Sequence, residues 1–150
     1  MTNFGFVQEF QRKFNCSMDM SSKSESASMI LEEFGKKLDA MAVMLLAAGP
    51  TDGRMRRARL ICEETGELLR AMAKGDRVEI AKEAADVHYV VYGTEDAYDI
   101  PADQVFCAVH CSNMSKTQDR DSGGKILKGP DYKAPNIKQI LEDADAINTF

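Results

Sequence analysis

The sequence predicts an all-α fold, a helical bundle. Apolar residues recur at intervals of three and four in several segments, which is the spacing of one helix face. Glycine, proline and polar residues separate these segments, and no stretch alternates between apolar and polar residues as a half-buried strand does. At 150 residues the chain has the length of one domain. We therefore expect a single all-α domain over residues 1–150.

The first two helices are predicted from their apolar stripes. In FGFVQEFQRKFN, Phe6, Phe10 and Phe14 lie on one face. The segment at residues 16–26, CSMDMSSKSES, is polar and without periodicity, so it predicts a loop. GPTDG at residues 49–53 ends the second helix, since glycine and proline interrupt helices. Five large side chains share one face of that helix: Ile30, Phe34, Leu38, Met41 and Leu45.

A third helix is predicted at about residues 55–74 and a fourth at about residues 77–98, with KGDR as the break between them. Asp76 can accept hydrogen bonds from the first turn of the fourth helix, and Glu79 follows three residues later as in a capping box. The fourth helix is apolar nearly all round at residues 87–91, which predicts that it is buried.

The last third of the chain is predicted to contain two helices and a long loop. Pro101 opens the fifth helix, PADQVFCAVHCSNMSKT, because proline is favoured in a first turn. Residues 118–135, QDRDSGGKILKGPDYKAP, are rich in glycine, proline and lysine and predict a loop. Residues 136–147, NIKQILEDADAI, predict a short sixth helix.

The charge balance excludes two broad functions. Lys and Arg number 19 against 24 Asp and Glu, a formal net charge of -5, whereas general nucleic-acid and membrane-surface binders carry a basic face. The longest apolar run, residues 41–49, is far shorter than the roughly 18 residues that span a bilayer. We expect neither nucleic acid nor membrane as a partner.

The N-terminus and the cysteines predict a reducing compartment. MTNFGFVQEF lacks the basic region and apolar core of a secretory signal. We therefore expect a cytoplasmic protein whose four cysteines are free thiols rather than disulfides.

Two carboxylates interrupt the apolar stripe of the third helix. Glu64 lies four residues from both Leu60 and Leu68, and Glu67 lies four residues before Ala71. An ionised carboxylate in an apolar setting costs several kcal/mol unless a cation or hydrogen bonds compensate it. The positions therefore predict a site that supplies such compensation.

A second pair, Glu83 and Asp86, projects from the first turns of the fourth helix towards its apolar face. Residues three apart on a helix are neighbours, and two antiparallel helices could bring the two pairs face to face. The bases Arg70, Lys74 and Lys82 are expected to point outward, away from the acids. Four hard oxygen donors without a histidine suit Mg²⁺ or Mn²⁺.

These acids carry a resemblance to a known superfamily. EETGE followed by EAAD resembles the E-x-x-E…E-x-x-D signature of the all-α nucleoside triphosphate pyrophosphohydrolases, which include MazG, the dimeric dUTPases and phosphoribosyl-ATP pyrophosphohydrolase. The chain is most similar to the MazG-like proteins related to phosphoribosyl-ATP pyrophosphohydrolase that have dUTPase-like activity. In that branch segments similar to DVHYVVYGTEDAYDI, VHCSNMSKT and GGKILKGPDYKAP follow the acids. The resemblance covers about residues 54–140.

The resemblance implies a Mg²⁺- or Mn²⁺-dependent enzyme of all-α fold, usually dimeric, that cleaves a nucleoside triphosphate to the monophosphate and pyrophosphate. The expected substrate is dUTP or a related pyrimidine deoxynucleotide. The resemblance also implies an acidic metal-binding core at about residues 54–117 and a substrate loop at about residues 118–135.

Carried over residue by residue, the resemblance implies roles for the acids. Glu63 corresponds to the acid that orients or deprotonates the attacking water, and the alternative is a surface acid beside Arg59. Four residues correspond to the metal ligands: Glu64, Glu67, Glu83 and Asp86.

The resemblance also implies residues that bind the nucleotide. Asn113 and Lys116 are expected to reach sugar or phosphate, although a polar helix end that complements the helix dipole is the alternative. Lys125, Lys128 and Tyr132 are expected to supply cations and a stacking ring, although this loop could also be a plain connection.

Two other functions stay open. The substrate could be phosphoribosyl-ATP, although that enzyme type is usually shorter than this chain and ends soon after the acidic core. The chain could also be a non-catalytic helical interaction module with a structural metal site.

Assembly is predicted from the apolar surface. Val87, Val90 and Val91, together with the stripe at residues 34–45, offer more apolar surface than a thin layer of helices hides. We therefore expect a homodimer that completes the bundle.

Overall fold

The computed structural model describes residues 1–16, 18, 20 and 24–147. Within these ranges the chain forms helices joined by turns and loops, with no strand and one isolated antiparallel bridge between Arg120 and Ile126. The predicted all-α fold is confirmed. The six helices are α1 (Asn3–Lys13), α2 (Glu25–Ala48), α3 (Gly53–Lys74), α4 (Arg77–Ala97), α5 (Ala102–Met114) and α6 (Ile137–Ile147).

The helices fall into two compact units. The terminal unit comprises Met1–Met18 and Tyr98–Phe150 and contains α1, α5 and α6. The central unit comprises Asp19–Ala97 and contains α2, α3 and α4. That residues 1–150 act as one domain stays a prediction.

Local capping decides where the helices begin. The Oδ1 atom of Asp52 accepts hydrogen bonds from the backbone N–H groups of Arg54 and Met55, so α3 starts at Gly53, two residues before the predicted start. Asp76 accepts in the same way from the N–H of Val78 at 2.9 Å, as predicted for the start of α4. Gly75 ends α3 in the left-handed conformation, with φ 70°, which glycine adopts without steric cost.

The first loop is only partly described. Ser24 caps α2, which begins at Glu25, inside the loop predicted at residues 16–26. Residues 17, 19 and 21–23 of that predicted loop lie outside the described residues.

In the central unit α2 and α3 run antiparallel and approach closely at two buried glycines. A Cβ atom on Gly35 would lie 2.9 Å from the carbonyl oxygen of Gly66, and one on Gly66 would lie 3.1 Å from that of Gly35. The Arg70 guanidinium donates to Asp39 of α2 at 2.5 Å, beside this crossing. The close approach of the two backbones at these glycines and the ion pair between Arg70 and Asp39 therefore hold α3 against α2.

The central unit leaves apolar side chains exposed. On α2 the small residues Gly35 and Ala42 are buried, whereas Ile30, Phe34 and Met41 of the predicted stripe are half exposed. The prediction that α4 is buried all round at residues 87–91 is wrong for the single chain, because Tyr89 is 81% exposed. Periodicity identified the apolar side chains but not how many of them the packed helices cover.

In the terminal unit α1 packs on α5 through its aromatic residues. The ring of Phe6 stacks on the buried His110 with 4.5 Å between centroids, and His110 Nε2 lies 3.1 Å from a carboxylate oxygen of Glu9. Phe14, the last residue of the predicted stripe, is 1% exposed. The Lys13 ammonium donates to a backbone carbonyl at the end of α5. The helix with the predicted phenylalanine stripe is therefore present, and Phe6 of that stripe contacts α5.

All four cysteines are free, which agrees with the predicted thiols: Cys16, Cys62, Cys107 and Cys111. Among the described residues no helix combines the length and the apolar character that a membrane crossing requires.

We predict that Gly35→Ala destabilises the protein by about 1–3 kcal/mol, the usual cost of overpacking a close contact. The added methyl group would meet the backbone of Gly66 at 2.9 Å and Cγ of Arg70 at 2.8 Å. Urea unfolding in the presence of a chelator measures the change.

Gly53→Ala is the matched control. No atom lies within 4 Å of a Cβ atom at this first position of α3, so stability should be unchanged or higher by up to about 1 kcal/mol. A Gly35→Ala protein as stable as wild type would contradict the close packing of α2 on α3.

Candidate metal centre and substrate-binding residues

The antiparallel packing of α3 and α4 brings three of the four predicted metal ligands together. One carboxylate oxygen from each of Glu64, Glu83 and Asp86 lies within 4.8 Å of the others. Glu64 comes from the middle of α3, and Glu83 and Asp86 come from successive turns of α4. We call these three residues the acid trio. Their oxygens are close enough for one cation to contact them all.

Glu83 gives the strongest indication that the acid trio can bind a cation. Its side chain is buried at 6% exposure, and its Oε2 atom has no hydrogen-bond partner among the described residues. A buried carboxylate oxygen without a partner is costly, whereas a bound cation would satisfy it. The donor set of three carboxylates suits Mg²⁺ or Mn²⁺, so the residues present fit the predicted metal.

Glu67, the fourth predicted ligand, lies beside the trio rather than in it. Its side chain is exposed, and its carboxyl group is within hydrogen-bonding reach of Glu83. Glu67 and Glu83 also line a pocket of about 170 Å³ together with Arg70, Ala71, Lys74 and Glu79. The structure therefore gathers all four acids in one neighbourhood, with Glu67 at its edge.

Burial and mutual repulsion disfavour the charged forms of the acids on α3. Burial first, and then the charges of Glu67, Asp86 and Glu83, raise the pKa of Glu64 above its ordinary value of 4.5. Burial, together with the charge and hydrogen bond of Glu83, raises the pKa of Glu67 in the same way. A divalent cation would reverse this effect, because it favours the ionised carboxylates.

The prediction that Lys82 points away from the acids is wrong. Its Nζ atom lies 3.0 Å from Oε1 of Glu83 and 3.1 Å from Oδ2 of Asp86. Hydrogen bonds to these two acids raise the pKa of Lys82. The spacing of i to i+4 between Lys82 and Asp86 on one helix was the available signal. Arg70 does not point to solvent either, because it binds Asp39 of α2.

Glu63, the predicted catalytic acid, forms a close ion pair. Nη1 of Arg59, one turn earlier on α3, lies 2.5 and 2.7 Å from the two carboxylate oxygens of Glu63. The contact with Arg59 that is expected if Glu63 is only a surface acid is therefore present. Arg59 fixes the orientation of the carboxylate, which a surface acid and a positioned base would both show.

The predicted nucleotide-binding residues lie in the terminal unit. Asn113 occupies the last turn of α5, and Lys116 follows the helix end, with its Nζ atom 6.0 Å from the centre of the Phe10 ring. Among the described residues neither side chain has an acidic partner. Within the part of the chain that the structure describes, Lys116 therefore forms no ion pair.

The loop at residues 118–135 is organised by hydrogen bonds. One carboxylate oxygen of Asp121 accepts from the N–H groups of Gly123 and Lys125, both at 2.9 Å, and Gly124 takes a φ of 83°. Ile126 is buried and pairs with Arg120 across the turn. Lys125 is thus presented on a tight turn of defined geometry.

The second half of the loop places Lys128 and Tyr132 together. The Lys128 ammonium lies 4.5 Å from the centre of the Tyr132 ring, and Ser112 donates a hydrogen bond to the Tyr132 hydroxyl at 3.2 Å. The Ser112 hydrogen bond, with smaller contributions from Lys128 and Lys116, lowers the pKa of Tyr132. One face of the predicted stacking ring is therefore already covered by a cation.

The segment with the acid trio matches a known family. Residues 45–113 match the family model described as Phosphoribosyl-ATP pyrophosphohydrolase, a family of MazG-like all-α NTP pyrophosphohydrolases, and this match confirms the resemblance seen in the sequence. Its members are hydrolases that act on phosphoric anhydrides, so the enzyme class predicted from the sequence is confirmed. Neither a search of curated proteins nor a search of solved structures found a match.

The matched residues include Glu63, Asn113 and all four predicted metal ligands. Lys116 and the loop at residues 118–135 lie beyond the end of the match. The family match therefore concerns the acidic core and not the predicted substrate loop.

We predict that Glu64→Gln stabilises the metal-free protein at pH 7 but not near pH 4.5. Because the pKa of Glu64 is raised above 4.5 in the folded state, that state holds its proton more tightly than the unfolded state does. The stability that this group contributes is present below pH 4.5 and is lost as the pH rises through the folded-state pKa. Glutamine cannot ionise, so the variant avoids this loss.

Thermal unfolding with excess chelator, measured from pH 4.5 to 7.5, checks the prediction through the difference between the variant and wild type. Glu33→Gln on α2, an exposed acid 3.8 Å from Lys37, is the control and should show little change across this range. A Glu64→Gln protein less stable than wild type at pH 7 would count against repulsion within the acid cluster.

Proposed function

We propose that this protein is a metal-dependent pyrophosphohydrolase that cleaves the bond between the α- and β-phosphates of a nucleoside triphosphate. The observation that carries the proposal is the buried Oε2 atom of Glu83, a member of the acid trio, for which the described part of the chain offers no hydrogen-bond partner. The family of residues 45–113 supports the reaction class. A helical interaction module with a purely structural metal has no comparable support.

Glu64, Glu83 and Asp86 would hold the cation, and Glu67 would complete or adjust the site from its edge. We propose Mg²⁺ or Mn²⁺, since both prefer carboxylate oxygens and leave room for water and phosphate. Bound there, the cation would supply charge neutralisation for the triphosphate and would make water a stronger acid.

Glu63 is proposed as the base that orients the attacking water and accepts its proton. The Arg59 guanidinium holds both carboxylate oxygens, which restricts the rotation of the side chain. An oriented carboxylate needs less reorganisation in the transition state than a mobile one. Each carboxylate oxygen has more than one lone pair, so a hydrogen bond to Arg59 does not prevent proton transfer.

Five residues of the terminal unit are proposed to bind the substrate: Asn113, Lys116, Lys125, Lys128 and Tyr132. The support is their chemistry, because the three lysines form no ion pair among the described residues. Lysine ammonium groups offset the charge that develops on a leaving pyrophosphate.

Two substrates are proposed as candidates. The family match favours phosphoribosyl-ATP at least as well as any other nucleotide. The loop at residues 118–135, which lies outside the match, is the feature that favours dUTP or a related pyrimidine deoxynucleotide. Both compounds carry a triphosphate, so the acidic core would perform the same reaction on either.

We predict that the purified protein with Mg²⁺ releases pyrophosphate and the monophosphate together from one of these substrates. In ¹⁸O-labelled water the label should enter the monophosphate, because water attacks the α-phosphorus. A panel of dUTP, other nucleoside triphosphates and phosphoribosyl-ATP, followed by product analysis, tests the reaction and the substrate at once.

Asp86→Asn should lower turnover by at least about 10²-fold, because it removes a charge that attracts the metal. Glu33→Gln, away from the acid cluster on α2, should leave turnover unchanged. Orthophosphate and a diphosphate as first products, or full activity after exhaustive chelation, would refute the proposed mechanism.

We also propose that the protein is a homodimer. In the central unit Ile30, Phe34 and Met41 of α2 and Tyr89 and Val91 of α4 are all exposed. Large apolar side chains left exposed on two helices that both pack on α3 are typical of a surface that another chain covers. A second copy of the chain is the occupant we propose, since a two-fold contact buries the same patch on both partners.

Light scattering at micromolar concentration is expected to give the mass of two chains. Phe34→Glu should shift the protein to a monomer, because it places a charge in the proposed contact. Phe4→Glu is the control, as Phe4 is exposed on α1 in the other unit and should leave the mass unchanged. A wild-type mass of one chain would contradict the dimer.

A further inference from the structure

Lys82 makes a contact that the proposed reaction does not require. It precedes Glu83 by one residue and Asp86 by one turn on α4, and its ammonium group touches both carboxylates. These are two of the three acids in the trio. The ammonium group therefore contacts two of the three carboxylates that the proposed metal would use.

The ammonium group compensates the trio only in part. It binds Oε1 of Glu83 at 3.0 Å, while Oε2 of the same carboxylate has no partner among the described residues. A single positive charge offsets one of three closely spaced negative charges. The contact thus lowers the repulsion between Glu83 and Asp86 without filling the site.

The side chain can leave the contact at little cost. Lys82 is 59% exposed, so its ammonium group can be rehydrated when it turns outward. Glu83, by contrast, is buried and cannot follow. A divalent cation arriving from solvent would therefore displace the ammonium group and not the carboxylates.

We propose that Lys82 is a built-in counter-ion that stabilises the acid trio without metal and competes with the divalent cation for Glu83 and Asp86. It thereby sets the metal concentration at which the site fills. The proposal rests on the metal centre under the proposed function.

Titration calorimetry with Mg²⁺, at low ionic strength and without nucleotide, tests the competition. Lys82→Met keeps most of the aliphatic stem and should bind Mg²⁺ about three- to tenfold more tightly, the effect expected from losing one or two exposed ion pairs. Lys82→Arg keeps the charge and should stay within about twofold of wild type.

The matched control is Lys36→Met. Lys36 also forms an exposed i to i+4 ion pair, with Glu32 on α2 at 3.5 Å, and its removal makes the net charge more negative by the same amount. Its Mg²⁺ affinity should equal that of wild type, which separates contact with the trio from a general change in charge.

Thermal unfolding supplies a second readout. In chelator Lys82→Met should melt below wild type, because the trio loses its counter-ion. With saturating Mg²⁺ the difference should disappear, since the cation replaces the ammonium group.

If wild type binds Mg²⁺ and Lys82→Met binds it equally or more weakly, the competition is refuted and the metal centre stands. If wild type binds neither Mg²⁺ nor Mn²⁺ at millimolar concentration, both the competition and the proposed metal centre are refuted.

Discussion

Repulsion between carboxylates is the constraint on which the arrangement of the central unit depends. The register of α3 against α4 places oxygens of Glu64, Glu83 and Asp86 within 4.8 Å of one another, so this part of the contact opposes the packing of the two helices. Other contacts must hold α3 in place. The close crossing at Gly35 and Gly66 does so on the α2 side, where the backbones approach without intervening side chains. The close packing of α3 on α2 therefore allows α3 to carry the repulsive acid trio on the face that it turns to α4.

Much of the fold could be predicted because helix periodicity and capping are local. The stripe that ends at Phe14 and the cap at Asp76 depend on residues within one or two turns, and both are found in the structure. Burial on α2 and α4 could not be predicted in the same way. Gly35 and Ala42 face α3 because small side chains allow close approach, which leaves the larger Phe34 exposed. A rule that places the largest apolar residues inside fails where backbones come close.

The acids could be predicted because they break an apolar pattern at a spacing of three residues. The partners of these acids could not be predicted, since a lysine has a long side chain that can point to solvent or lie along its own helix. The ammonium group of Lys82 contacts the carboxylates of Glu83 and Asp86, although most of the lysine side chain is exposed. For Glu63 the spacing is equally indecisive, because its i to i+4 pairing with Arg59 fits both a surface acid and a base that orients water. Sequence spacing identifies which groups can meet, and the energies of competing contacts decide which do.

The family match contains the residues proposed for the reaction, whereas the loop proposed to choose the substrate lies outside it. Residues 45–113 contain the acid trio, Glu67 and Glu63, which would act on the triphosphate alone. Both candidate substrates carry that group, so these acids have no means of distinguishing them. Discrimination has to come from residues that contact the base or the sugar. Beyond the match, Lys128 and Tyr132 form a cation–π pair, in which the ring has one face covered and its hydroxyl bound by Ser112. Under the proposal that Tyr132 stacks on the base, these two contacts would restrain the ring, and a restrained aromatic group selects between flat bases more sharply than a mobile one does.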